Sequence, residues 1–391
     1  MTDAILALNA GSSSIKFGLF EIGSGDPALL VRGEIEEKDG ARRLVARSGA
    51  GQSLADQRWG SQRAEQDDLP GDLLGWIEAH LGQDRLVAAG HRIVHGGRAY
   101  FETCQLDERA IAALTALTPL APLHQPRSLA PVRALARLRP DLPQFGCFDT
   151  AFHHGLAPPV SRFAIPRAFE VRGIRRYGFH GLSYEFIARL LAEIAPGDTG
   201  KRTVVAHLGN GASLCAMRDG KSLDTTMGFS ALDGLVMGTR CGALDPGVLL
   251  YLQQVEGLSI AELDDLLYRQ SGLLGVSGVS GDMRTLLASQ DPHAAEAIDL
   301  FVFRLAREIT AMANTLGGLD RLVFTGGIGE HAHQIRALAA RRLEWLGLRF
   351  EDKANLDGKQ RISRDDSRIE VLVLATDEEL TIARHVCRAI G

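Results

Sequence analysis

Two stretches of this chain, about two hundred residues apart, repeat one local pattern, and that repeat restricts the possible folds more than any other feature. The first runs Ile5-Leu-Ala-Leu-Asn9-Ala-Gly11-Ser12-Ser13-Ser14-Ile15-Lys16-Phe17. The second runs Val204-Val-Ala-His207-Leu208-Gly209-Asn210-Gly211-Ala212-Ser213-Leu214. Each is an apolar β-rich run, a tight Gly/Ser/Asn turn and a second β-rich run. Such turns leave backbone N–H groups pointing into one concavity, where an anion such as phosphate satisfies them. One such hairpin says little, because Asn, Gly and Ser turns join strands in many proteins that bind nothing there. Two of them, each opening an α/β half, point to a duplicated fold that grips a polyphosphate from both sides.

At 391 residues the chain exceeds what a single hydrophobic core usually organises, so two domains are expected. A formal net charge of −5 gives no electrostatic reason to expect nucleic acid or an anionic membrane surface. Met1-Thr-Asp-Ala leads directly into a strand pattern, so nothing reads as a signal peptide. No apolar run reaches the roughly 18 residues that a membrane-spanning helix needs. Cys104, Cys147, Cys215, Cys241 and Cys387 are scattered and lack CxxC spacing. They read as reduced thiols of a cytoplasmic protein rather than as disulfides or a zinc site.

Residues 23–70 are rich in Gly, Asp and Gln with broken periodicity, and read as short edge strands and loops. Leu106 to Leu117 has helical spacing and Pro119 stops it. Phe145-Gly-Cys-Phe148-Asp149 is a buried strand with a carboxylate at its C-terminal end, the edge where open α/β sheets bind ligands. In the second half, Ser183 to Ile194 and Ile298 to Leu316 are helical, and Leu322 to Glu330 is a strand breaking into a glycine turn that starts a helix. Val371 to Leu374 is a last strand, and Thr376 with Glu379 three residues on reads as the capping box of a terminal helix. Alternating strands and helices in both halves imply two similar mixed α/β lobes with a cleft between.

The motifs then line up in one order. They are Asn9-Ala-Gly-Ser-Ser-Ser-Ile-Lys16, His91-Arg92-Ile-Val-His95-Gly-Gly97, Pro119-Leu-Ala-Pro-Leu-His124, Phe148-Asp149-Thr-Ala-Phe-His153 and Arg175-Arg-Tyr-Gly-Phe-His180-Gly. They continue with His207-Leu-Gly-Asn-Gly211, Gly234-Leu-Val-Met-Gly-Thr-Arg240, Ser271-Gly-Leu-Leu-Gly275, Gly327-Ile-Gly-Glu330 and Glu378-Glu379-Leu. In this order the chain resembles the acetate kinases, within the acetate, propionate and butyrate kinase group. The resemblance implies the duplicated actin-, hexokinase- and Hsp70-like (RNase H-like) ATPase fold, with two lobes and a cleft. It places an N-terminal lobe at residues 1–150, a nucleotide-binding lobe at 151–376, and a terminal helix over 377–391 packing back on the first lobe. It also implies a cytoplasmic homodimer that acts on acetate and ATP, with Mg²⁺ as cofactor and Mn²⁺ as its substitute.

The chemistry so implied is attack by a carboxylate oxygen on the γ-phosphorus of ATP. Its transition state is loose, with charge on the equatorial oxygens, so positioning and cations supply most of the catalysis. The family positions for this task are held by Arg92, Asp149, His180 and Arg240. The commonest fate of an arginine is a surface salt bridge and of a lone histidine a structural hydrogen bond; only the surrounding motifs reverse those readings. His124 either contacts substrate or only orients its neighbours. Asp149 either transfers a proton or orients an arginine or the water shell of magnesium, and the chemistry favours orientation, since a carboxylic acid substrate is already ionised at neutral pH. By resemblance Asn9 and Glu378 hold the metal, and Ser12, Ser14 and Lys16 contact phosphate. The other nucleotide contacts are His207, Leu208, Gly209, Asn210 and Gly211, then Asp282, Met283 and Arg284, then Gly327, Ile328, Gly329, Glu330 and His331.

The acyl pocket is expected from Val94, Leu123, Phe179 and Ala231. Departures from the usual pattern gather near it. Ala231 stands where a Pro is common, Gln125 replaces an Asn, and Leu182 and Tyr184 replace a Thr and a His after the His180 turn. Cys241-Gly-Ala243-Leu-Asp245 lacks one carboxylate beside Arg240, and His331 replaces an Asn. One methylene is worth only about 1–3 kcal/mol in such a pocket, so propionate or butyrate kinase is the competing reading. An actin- or Hsp70-like ATPase acting through partner binding is the reading from another class, and the two site arginines argue against it.

Overall fold

Both glycine turns join antiparallel strands, and each hairpin seeds a sheet. The computed structural model describes residues 2–11, 14–23, 25–38, 41–59, 69–81 and 84–391. The chain divides into two compact units, Met1–Ala151 with Asp377–Gly391, and Phe152–Thr376.

In the first unit the hairpin is β1 (Asp3–Ala10) and β2 (Ser14–Ile22), in register from Asp3↔Ile22 to Ala10↔Ile15. It is followed by β3 (Ala28–Lys38), β4 (Ala41–Ser48), β5 (Ser53–Trp59), β6 (Arg85–Ile93), β7 (Cys104–Gln105) and β8 (Gln144–Phe148). Among the described residues these eight strands form one sheet, ordered β5-β4-β3-β2-β1-β6-β8-β7. β1, β6 and β8 run parallel, so their C-terminal ends share one edge. The helix Glu378–Ile390 lies close on this sheet: a Cβ on Gly90 would stand 2.5 Å from Ile382 and 2.6 Å from Val386.

The expectation of short edge pieces over 23–70 is corrected by β3, β4 and β5, which are 11, 8 and 7 residues long. Residues 24, 39, 40 and 60–68 of that stretch lie outside the described residues. Val31, Ile35, Leu44, Ala46 and Ala55 alternate onto the buried face, packed in one core with Trp76 and Ile77 of the helix Leu69–Leu81. The other face carries charge, as in the exposed cross-strand pair Arg43–Asp56 at 2.9 Å. Interleaved charges hide a period-2 pattern from a reading that looks for apolar runs.

In the second unit β9 (Thr203–Leu208) and β10 (Ala212–Arg218) form the hairpin, joined by β11 (Lys221–Thr225), β12 (Arg321–Thr325) and β13 (Glu370–Val373). The order is β11-β10-β9-β12-β13, with β9, β12 and β13 parallel. Each sheet therefore repeats one scheme, a hairpin whose first strand continues into two parallel neighbours. Tyr184, Ile187 and Leu191 of the helix Gly181–Ile194 pack on Val205, Cys215 and Val323. The long helix begins at Pro292 rather than Ile298, because Asp291 caps it with Pro at the first turn. The terminal helix is capped by Asp377, whose side chain accepts from Leu380 N at 2.8 Å, not by Thr376. Aspartate is the stronger cap, and the Thr376 hydroxyl is buried without a hydrogen-bond partner.

Candidate active site

The shared edge of β1, β6 and β8 carries a hydrogen-bonded cluster. Asn9 lies near the end of β1, Arg92 near the end of β6, and Asp149 just after β8. Arg92 donates from Nε (2.8 Å) and Nη2 (2.5 Å) to Asp149 Oδ2, and from Nη1 to Asn9 Oδ1 at 3.0 Å. Asn9 Nδ2 in turn donates to Glu378 Oε2 at 2.9 Å and Glu379 Oε1 at 3.0 Å. Asp149 is fully buried, and its Oδ1 has no hydrogen-bond partner. Burial pushes its pKa up to about 6, with Arg92 opposing. The two charge-assisted bonds from Arg92 favour the ionised carboxylate, and Arg92 itself, against the pull of its burial, is held charged by Asp149 and Glu378.

Three carboxylates, Asp149, Glu378 and Glu379, surround the one guanidinium of this cluster. Glu379 is raised from its ordinary value by burial and then by Glu378, with Asn9 and Lys16 opposing. Excess negative charge, together with hard amide and carboxylate oxygens, suits a hard divalent cation. Among the described residues no group of three His, Cys, Asp or Glu side chains is arranged to cage an ion. An ion at this cluster would meet few protein ligands, and Asn9 and Glu378 bring side-chain oxygens to it. Lys16 is exposed on β2, opposite Asn9 in the hairpin register. Ser14 starts that strand, its carbonyl accepting from Gly11 N at 2.8 Å. Ser12 lies outside the described residues.

The second unit assembles a different cluster. His180 occupies a left-handed backbone position (φ 60°, ψ 26°) and caps the helix Gly181–Ile194. Such a conformation is costly for a residue other than glycine and persists only where the surroundings hold it. One holder is His153, whose Nε2 lies 3.0 Å from the Phe179 carbonyl and whose ring leaves no room for a Cβ on Gly178. His180 Nδ1 is 2.8 Å from Ser213 Oγ, and its ring stacks on His207 with centroids 4.4 Å apart. A Cβ placed on Gly211 would stand 2.6 Å from Arg240 Nη2 and 3.2 Å from His180 Nε2, so both nitrogens converge on that glycine. Arg240 is anchored by its Nη1 bond to the Ala231 carbonyl at 2.6 Å. Its loop is tied by Gly272, at φ 65°, where a Cβ would meet Met237 O at 2.2 Å.

Beyond this cluster a cavity of about 700 Å³ gathers three of the expected nucleotide segments. Gly209, Asn210, Asp282, Met283, Gly327 and Ile328 are among its walls, with Arg284 and His331. Asp282 caps the short helix Met283–Ala288 and pairs with Arg284 at 2.8 Å. His207, Leu208, Gly211, Gly329 and Glu330 do not line it. Leu208 and Gly329 are buried, and Glu330 Oε1 accepts from Gly326 N at 3.0 Å. Arg336 holds the Gly329 and Glu330 carbonyls at 2.8 Å each. Gly329 and Glu330 thus shape the turn rather than wall the cavity.

Of the expected acyl contacts, Val94 and Leu123 belong to the first unit and Phe179 and Ala231 to the second. Val94, Phe179 and Ala231 are buried. His124 precedes the helix Gln125–Leu138, its carbonyl accepting from Ser128 Oγ at 3.0 Å. Gln125, noted in the sequence only as a departure, is fully buried and holds the turn after Val94. It accepts from His95 N (3.1 Å) and donates to His95 O (3.0 Å) and Leu114 O (3.1 Å). Glu379, Ser213 and Ser183, which bonds His207 Nδ1 at 2.8 Å, were not singled out as site residues. A second acid beside Glu378 was the one legible signal; buried serines leave none.

The profile of the Acetokinase family matches residues 4–384. The chain is 51% identical over 393 residues to a protein named acetate kinase from Rhodopseudomonas palustris, an alignment covering 99% of this chain and 98% of the relative. The crystal structure of Porphyromonas gingivalis acetate kinase superposes with a TM-score of 0.84 at 35% identity, covering 100% of both chains. That of a propionate kinase from Francisella tularensis gives 0.89 at 36% identity, covering 98% of each. The mixed α/β sheets, each with its hairpin and parallel pair, are those of the actin- and hexokinase-like ATPase fold. No helix of the described residues is long and apolar enough to cross a membrane. The chain belongs to the acetokinase family.

Proposed function

We propose that the protein is an acetate kinase, transferring the γ-phosphoryl of ATP reversibly to acetate to give acetyl phosphate and ADP. The observation that carries this reading is the convergence of Arg240 and His180 on Gly211, in the unit that also holds the nucleotide-sized cavity. A carboxylate oxygen forms a bond to the γ-phosphorus while the bond to the bridging oxygen of ADP breaks. No base is needed, since acetate is ionised at neutral pH. Arg240 and His180 hold oxygens of the transferring phosphoryl, where negative charge gathers. Arg92 contributes the second guanidinium, and Asp149 aims it rather than moving a proton, as the two bonds to one carboxylate oxygen support. Asn9 and Glu378 would hold Mg²⁺, with Mn²⁺ as its substitute; bound there, the ion neutralises charge on phosphate oxygens. Lys16 and the serines of the first hairpin contribute phosphate contacts. Contacts to the acyl chain fall to Val94, Leu123, Phe179 and Ala231.

Propionate is the competing acceptor, favoured by Ala231 and by the likeness to a propionate kinase structure. Trapping the acyl phosphate as hydroxamate with acetate, propionate and butyrate decides both points. Release of inorganic phosphate without hydroxamate from any acid would end the kinase reading. The protein is also proposed to be a homodimer. Helices Pro246–Gln254 and Ile260–Arg269 bury none of their residues and expose Leu250, Tyr251 and Ile260. A monomer mass by light scattering across the micromolar range would refute it. Its free cysteines fit a cytoplasmic location, which cell fractionation tests.

A further inference from the structure

Behind His180 lies a hydroxyl relay that the phosphoryl-transfer roles leave unused. Ser213 and Tyr184 are fully buried. The Ser213 oxygen is 2.6 Å from the Tyr184 phenol oxygen and 2.8 Å from His180 Nδ1. A serine hydroxyl has one proton to give, so the chain runs in one of two directions. In the first, Tyr184 donates to Ser213 and Ser213 donates to Nδ1, which leaves the ring proton on Nε2. In the second, Nδ1 donates to Ser213 and Ser213 to the phenol oxygen, which leaves Nε2 bare.

We propose that Tyr184 and Ser213 are positioning residues for His180, running the relay in the first direction so that Nε2 presents an N–H. The phenol is the more acidic hydroxyl and therefore the better donor, which orients the chain toward the imidazole. Burial holds Tyr184 well above its ordinary pKa, with Cys215 adding and Ser213 and the His207 backbone opposing, so it keeps that proton throughout the neutral range. The ring plane is fixed separately by stacking on His207 at 23°, and His207 is tied in turn to Ser183. Nε2 and Arg240 Nη2 converge on Gly211. With the proton on Nε2 the two are donors to one oxygen; a bare Nε2 would set a lone pair against it. In this chain the task falls to a tyrosine, at a position where the resemblance leads one to expect a histidine.

The inference rests on the kinase reading for its purpose, but its first test does not. Long-range ¹⁵N–¹H correlation spectra of histidine-labelled protein at pH 7.5 report the tautomer, with His180 assigned by its loss in His180→Gln. The wild type is expected to show protonated Nε2 and unprotonated Nδ1. Tyr184→Phe and Ser213→Ala are expected to mix the tautomers and to lower kcat about tenfold or more, with KM for ATP and acetate held within about a factor of two. A wild-type proton on Nδ1 would overturn the proposal without any variant. Loss of kcat with an unchanged tautomer, or a changed tautomer at full kcat, would overturn it equally. Hydroxamate formation by the wild type is scored separately, so failure of the kinase reading is not mistaken for failure of the relay.

Discussion

The two hairpins use one backbone device and surround it with opposite chemistry. At β1–β2, Asn9 sits among Asp149, Glu378 and Glu379, with Arg92 bound into the carboxylates. At β9–β10, Gly211 faces Arg240 and His180, with a cavity alongside. The first cluster gathers acids and suits a cation; the second gathers donors and suits an anion. Duplicating a fold copies strand order and turns, because these are set by the backbone. It leaves side chains at the strand ends free to diverge, and here they diverge to opposite charge.

The largest effect expected from breaking this comparison is catalytic. Arg240→Ala, in the donor cluster, and Arg92→Ala, in the acid cluster, should each lower kcat by about 10²–10³ or more. An unchanged kcat with only a weaker acetate KM would make either arginine a clamp on the ground-state carboxylate.

Acid should come next. Burial holds His91 and His95 in the first unit, and His153 in the second, at about 4. Below about pH 6.5 the unfolded chain binds protons that the folded chain refuses. The stability these groups contribute above that pH is therefore lost as pH falls toward 4. At pH 5 the loss is about 2 kcal/mol per histidine, and the urea midpoint should drop accordingly from its value at pH 7.5. A midpoint that holds steady between those pH values would mean that these rings take up protons while folded.

The metal assignment separates the clusters more finely. Glu378→Gln keeps the shape but removes a charge, and should raise the half-saturating Mg²⁺ concentration about tenfold. If the Mg²⁺ requirement does not move, the ligand is another group of that cluster, Glu379 first.

Ala231→Pro is the smallest expected change. Proline retains the carbonyl that anchors Arg240, so kcat with acetate should survive. The acetate-to-propionate ratio of kcat/KM should rise by roughly tenfold, at the lower end of the about 1–3 kcal/mol that a methylene is worth. An unchanged ratio in the folded variant would place the acyl wall elsewhere.

What the sequence determined by itself is local. Strand–turn–strand patterns marked both hairpins, apolar spacing marked the helix 181–194 to within two residues and the helix 292–316 apart from its first six, and ordered motifs marked the family. These follow from turn sterics and side-chain periodicity, which act over a few residues. The terminal cap went to Asp377 because two adjacent cap formers competed and aspartate is the stronger of the two. β3 to β5 were illegible because charged residues such as Arg32, Glu34, Arg43 and Asp56 interrupt their apolar positions. Tertiary structure alone decided which groups meet. Arg92 reaches Asp149 across 57 residues and Asn9 across 83, and Asn9 reaches Glu378 across 369. Those meetings depend on the parallel register of β1, β6 and β8 and on the seating of the last helix, which long-range packing sets. The relay of Tyr184, Ser213 and His180 is of the same kind: three ordinary residues, whose hydrogen bonds exist only once a helix and a hairpin pack face to face.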